Sequence, residues 1–115
     1  MDVRLRAFAE ALESLTYLAN VDLPVLSETL DPRLIDGIRN GQAQKFEYTL
    51  ELCWKAIKEY LKQNDGIDEA SPKKVVKAFY LSGYMTEDDY ITLIQAIDDR
   101  NKLSHIYEQH EFDLI

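Results

Sequence analysis

Phe46-Glu47-Tyr48-Thr49-Leu50-Glu51-Leu52-Cys53-Trp54-Lys55 lies at the centre of the longest uninterrupted pattern in the chain. Around it, Ile35, Ile38, Phe46, Leu50, Cys53, Ile57 and Leu61 recur at helical spacing. Successive residues of an α-helix turn by about 100°, so these positions share one stripe and predict a long core helix. Tyr48, Leu52 and Trp54 widen the stripe, which predicts burial on more than one side or at a dimer contact. Glu51 and Lys55 form an i,i+4 pair expected on the wet face. Asp31-Pro32 supplies the start, an N-cap followed by proline at the first helical position. Gly37 and Gly41 weaken the first turns by about 1 kcal/mol each relative to alanine. Asn64-Asp65-Gly66 ends the pattern, so the helix is expected from Pro32 to about Gln63, with Gly66 free to take positive φ.

Upstream, Asp2 can cap a helix whose Leu5, Phe8, Leu12, Leu15 and Leu18 form a second stripe. Leu23-Pro24 interrupts it, and a short piece carries Val25, Leu26 and Leu30. Downstream, Ser71-Pro72 repeats the cap-plus-proline start for a helix with Val75, Val76, Ala78, Phe79 and Leu81, stopped at Gly83. Lys73, Lys74 and Lys77 give that helix the chain's basic cluster, expected as a solvated face. Thr86 with Asp89 resembles a capping box. The following helix runs through Tyr90, Ile91, Leu93, Ile94 and Ile97 into the segment Arg100–Tyr107, and Glu111, Phe112, Leu114 and Ile115 read as a short fifth helix. The class is all-α.

The chain has 115 residues and a formal net charge of −8, with 46% hydrophobic and 30% charged residues. This suits one domain over residues 1–115. Such acidity excludes nucleic-acid binding by bulk electrostatics; a contact would need a local patch. It fits a protein partner with basic residues equally well. Cys53 is the single cysteine, which excludes an internal disulfide and predicts a reducing, cytoplasmic home. Its place on the apolar stripe makes it a small hydrophobe rather than a nucleophile. There is no signal peptide and no apolar run near 18 residues, so neither secretion nor a membrane span is expected.

Chemistry concentrates in Asp98-Asp99-Arg100-Asn101-Lys102-Leu103-Ser104-His105-Ile106-Tyr107. Arg100 presents a permanently charged planar fork suited to phosphate. His105 can exchange a proton near neutral pH. Asn101 and Tyr107 add donors and acceptors. On a continuous helix Asn101 and His105 share a stripe, and Arg100, Ser104 and Tyr107 lie on a neighbouring one. Arg100 and His105 diverge by roughly 140°. They could serve one site only if the helix breaks between them or a second copy brings its own pair. The bland alternative is that Arg100 pairs with nearby carboxylates and His105 caps or packs. No glycine-rich phosphate loop is present. His105 and His110 point apart, and the carboxylate pairs Asp88-Asp89 and Asp98-Asp99 diverge, so neither a metal nor a cofactor is expected.

The Phe46–Lys55 stretch, then Ser71-Pro72 with Ala78 and Gly83, then Arg100-Asn101-Lys102-Leu103-Ser104-His105-Ile106-Tyr107, in that order, resemble the nucleotidyltransferase substrate-binding protein family of the HEPN superfamily. The resemblance covers roughly Pro32 to Tyr107. It implies an antiparallel up-and-down bundle of four to five helices that dimerises and associates with a minimal nucleotidyltransferase. The HepT-like relatives are toxins of toxin–antitoxin pairs, metal-independent ribonucleases with an Arg-x4-His-x-Tyr motif. Arg100, His105 and Tyr107 match it, and Asn101 fills the polar position after the arginine. The resemblance thus implies Arg100 and His105 as catalytic, with Asn101, Lys102 and Ser104 available to bind substrate or phosphate. Tyr107 would accept AMP from the antitoxin transferase, adding charge and bulk that repel RNA. The alternative it leaves open is a non-catalytic subunit that binds nucleotide for the transferase. A family member is also expected to have a fuller final helix than the residues after Tyr107 suggest.

Overall fold

The computed structural model describes the backbone of residues 3–113 and the side chains of residues 3–103. Over these residues the protein is all-α, as the spacing predicts: α1 Val3–Ala19, α2 Leu23–Leu26, α3 Pro32–Asp65, α4 Pro72–Leu81 and α5 Glu87–Asp113. Contacts divide the chain into two compact units, residues 1–52 and 53–115.

In the first unit the Asp31-Pro32 start operates as read, while Asp2, the expected cap of α1, lies outside the described residues. Asp31 Oδ1 accepts from the Arg33 backbone N–H at 2.8 Å, and the Arg33 guanidinium reaches Asp31 Oδ2 at 3.0 Å. That partner holds the Asp31 carboxyl below the ordinary carboxylate value. Asp22, which the sequence reading did not single out, caps α2 by accepting from Val25 N at 3.2 Å. The burial of α1 differs from its apolar stripe. Ala11 is the buried residue, while Leu5 and Leu12 remain 49% and 44% exposed. The cause is a point of close approach. Thr49 Oγ1 of α3 donates to the Ala11 carbonyl at 3.3 Å, and Gln42 Nε2 donates to the Leu18 carbonyl at 2.8 Å. Only a small side chain fits where two backbones come within reach of one hydroxyl, so the larger leucines flank the approach. Ile35 and Leu50 complete the buried set of this unit.

In the second unit, the last turns of α3 carry buried Leu61, and α4 packs on α5 around fully buried Val75 and Val76 and nearly buried Ile97. α3 ends at Gly66, φ 67°, with Ile67 N donating to the Leu61 carbonyl at 3.2 Å. α4 ends in a Schellman turn. Gly83, φ 85°, donates to Tyr80 O at 3.0 Å, and Tyr84 N donates to Phe79 O at 3.2 Å. Ser71 starts α4 with extended backbone but without the expected side-chain cap bond. Thr86 does cap α5, its Oγ1 accepting from Asp89 N at 3.1 Å, and Glu87, Asp88 and Asp89 set negative charge against the positive end of the helix. Cys53 is half-buried, and burial raises its thiol pKa, in keeping with an inert hydrophobe.

One expectation fails. No separate fifth helix forms near Glu111: the backbone of α5 continues without a break through Asp113. No glycine or proline stands between Arg100 and Asp113 to stop it, and Lys102, Leu103, Glu108 and Gln109 are good helix formers. The count of five is reached through the four-residue α2 instead.

Candidate functional site

The candidate residues all stand on α5. Because the helix is unbroken there, Arg100 and His105 are separated by five residues of regular turn, roughly 140° apart around the axis. A break between them is therefore excluded. The side chains of Ser104, His105 and Tyr107 lie outside the described residues, so their contacts are not part of this geometry.

The approach to the motif is described in full. Lys73 of α4 forms an ion pair with Asp98 of α5. One residue further, Gln95 Nε2 donates to Asp99 Oδ1 at 3.0 Å. The two aspartates are thus committed to structural partners. Among the described residues no group of His, Cys, Asp and Glu could hold a metal. Arg100 is half-buried, its Nε is sealed from solvent, and the side chain is engaged rather than free. Asn101 and Lys102 are exposed. All three lysines of the basic cluster on α4 are exposed, as expected of a solvated face, and Lys73 in addition pairs with Asp98. Its pairing was missed because it joins two consecutive helices side by side, which no local spacing records; only the charge types hinted at it.

Two further features carry no motif. Glu47 in the first unit has a carboxylate oxygen, Oε1, that is shut off from solvent and lacks a hydrogen bond. In the same unit a wide groove of about 340 Å³ is lined by Glu13, Ser14, Tyr17, Leu18 and Lys45, with Lys45 Nζ standing 5.8 Å from the Tyr48 ring centroid. No helix among the described residues is long and apolar enough to cross a membrane.

The all-α fold agrees with the comparisons. The family described as nucleotidyltransferase substrate binding protein like matches residues 3–115. The chain belongs to that family. It is also similar to a protein of Thermus thermophilus of known crystal structure, with 30% identity and a TM-score of 0.70 over 89% of this chain and 77% of that one. No curated protein matches the chain.

Proposed function

We propose that this protein is the helical partner of a minimal nucleotidyltransferase and acts as a metal-independent endoribonuclease, the toxin of a toxin–antitoxin pair. The observation that carries the reading is the intact Arg100-x4-His105-x-Tyr107 motif on one continuous helix of a family member. His105 takes the proton of an RNA 2′-hydroxyl, whose oxygen attacks the adjacent phosphorus as the bond to the 5′ oxygen breaks, and that oxygen takes its proton from water. Arg100 stabilises the charge that develops on the phosphate oxygens. Asn101, Lys102 and Ser104 hold the flanking phosphates. Since one helix directs Arg100 and His105 apart, a second copy supplies the complementary residue, and the active form is a cytoplasmic homodimer. The partner transferase moves AMP from ATP to the Tyr107 oxygen with release of pyrophosphate, and the added phosphate and adenosine block RNA. RNA cleavage in EDTA by wild type and by His105→Ala, side by side, tests it. Cleavage by wild type alone is expected. Equal rates would overturn the assignment.

A second reading makes the chain a non-catalytic subunit that presents nucleotide to the transferase. Two observations favour it: the net charge of −8, which opposes RNA, and exposed Asn101 and Lys102 beside a half-buried Arg100. Tight nucleotide binding by a folded sample that cleaves no RNA would select this reading over the first.

A further inference from the structure

α1 leaves uncovered part of the stripe that its sequence marks as apolar. Leu5 and Leu12 stay 49% and 44% exposed, and Ala9, Thr16 and Ala19 are exposed in line with them. These residues follow one another at alternating spacings of four and three, the pattern of a two-helix coiled-coil seam. At about 100° per residue they fall within roughly 80° of arc, whereas buried Ala11 lies roughly 120° away, on the side where Thr49 of α3 reaches its carbonyl. The Thr16 hydroxyl donates to the Leu12 carbonyl at 2.8 Å, so the seam can be covered without stranding that polar group.

The edges of this seam fit the same helix reversed. Arg6 and Glu13 are exposed along one edge, and half-buried Phe8 and Leu15 line the other. Within one chain Arg6 and Glu13 stand about 10.5 Å apart along the axis, beyond the three- and four-residue spacing at which pairs form on a helix. In an antiparallel pair of helices, like edges meet. Setting Leu12 of one copy against Ala9 of the other, and Leu5 against Thr16, matches each small residue with a leucine. The same register brings Arg6 of each copy to Glu13 of the other. The two-fold axis makes every such contact twice. A parallel pair would instead set Arg6 and Glu13 against the Phe8 and Leu15 edge and leave the charges unmatched.

We propose that the Leu5–Ala9–Leu12–Thr16 seam of α1 is a self-association face that joins two copies of this chain in antiparallel register, with reciprocal Arg6–Glu13 ion pairs. The inference rests on the homodimer proposed above and adds the face and register by which the copies meet. The chain's own charges set the occupant, since one helix carries both halves of each pair.

The test is sedimentation velocity on full-length protein over a concentration series, with helicity checked for every variant. Leu12→Asp is expected to leave monomer. Arg6→Glu and Glu13→Arg are each expected to weaken dimerisation about tenfold by setting like charges together. An equimolar mixture of these two weakened variants should regain wild-type association, because every altered charge then meets its opposite on the other copy. The double variant Arg6→Glu with Glu13→Arg should regain it alone. Dimers unchanged in all the variants would overturn the seam and leave the homodimer to another face. Weakening by the single variants without recovery in the mixture would overturn the antiparallel register. Wild type that stays monomeric would overturn the homodimer and the seam with it; loss of transferase binding in Leu12→Asp would then give the stripe to that partner. None of these measurements uses RNA, so the seam stands or falls apart from the nuclease assignment.

Discussion

Lys73 on α4 is ion-paired with Asp98 on α5, two residues ahead of Arg100. The pair spends part of the chain's positive charge beside the motif and ties the helix carrying it to its neighbour. Its side chains are 51% and 40% exposed, so water screens the attraction. A double-mutant cycle with Lys73→Ala and Asp98→Ala, followed by urea unfolding, is expected to give a coupling of about 0.2–1 kcal/mol that shrinks in high salt. A coupling well above that range would mean the pair is better shielded than its exposure indicates.

Tyr84 gives the clearest pH signature. Its hydrogen bond to Asp65, helped by that carboxylate's negative charge, pushes the phenol up to about 12 from the ordinary 10. A raised folded-state value favours the protonated form, so the contribution is fully present below pH 10 and is lost as pH rises towards 12. Ultraviolet titration should show one tyrosine ionising late in wild type. In Tyr84→Phe that late step should vanish, along with the part of the alkaline stability loss it causes. A late step that survives the substitution would assign it to another tyrosine.

Gly83 isolates a backbone effect. It has φ 85°, and a Cβ built there would meet nothing within 4 Å. Gly83→Ala should therefore destabilise by about 1 kcal/mol through left-handed strain alone, with no steric component. Gly66→Ala, at φ 67° in equally open space, should cost about the same. A much larger loss at one site would reveal a contact that the geometry does not contain.

Ala11 and Leu61 probe the two units separately. Ala11→Leu would force bulk between α1 and α3 where Thr49 reaches the Ala11 carbonyl, at an expected cost of about 1–3 kcal/mol. Leu61, 1% exposed, should cost about 2–5 kcal/mol when cut to alanine. Chemical denaturation with probes in each unit would check both.

If two copies build each site, Arg100→Ala and His105→Ala proteins should complement one another. Each is expected to be inactive alone, and a refolded mixture should recover up to about a quarter of wild-type cleavage. That figure follows from half the dimers being mixed and one of their two sites holding both residues. No recovery, with mixed dimers demonstrated, would place both residues of a site on one chain.

Much of the fold is legible because it is written locally. Asp31-Pro32, Gly66 and Gly83 act within a turn of their own position, and each starts or stops a helix where its chemistry requires. The apolar stripe of α1 was less informative. Periodicity marks the average buried direction, but the point of close approach selects the smallest residue near it, Ala11. The continuity of α5 was read as far as Tyr107 and lost after it, where the polar run Glu108-Gln109-His110 interrupts the apolar pattern without breaking the backbone. In the candidate site, Arg100 and its neighbours were legible from residue chemistry. The Lys73–Asp98 pairing was not, because nothing local to either residue records the other.

The α4–Gly83–α5 hairpin also bears on the order in which the chain folds. Its fixing contacts, Lys73 with Asp98 and Tyr80 stacked on Tyr90 at 4.6 Å, join residues close along the chain across one tight turn. The hydrogen bond from Thr49 to Ala11 spans 38 residues. Closing the shorter loop costs less entropy, so the hairpin should form first and the α1–α3 contact later. Kinetic φ-values near one for Val75→Ala and near zero for Thr49→Val would mark that order. The hairpin, which leads into the stretch of α5 proposed to carry the motif, would then be the first part of the chain to acquire its shape.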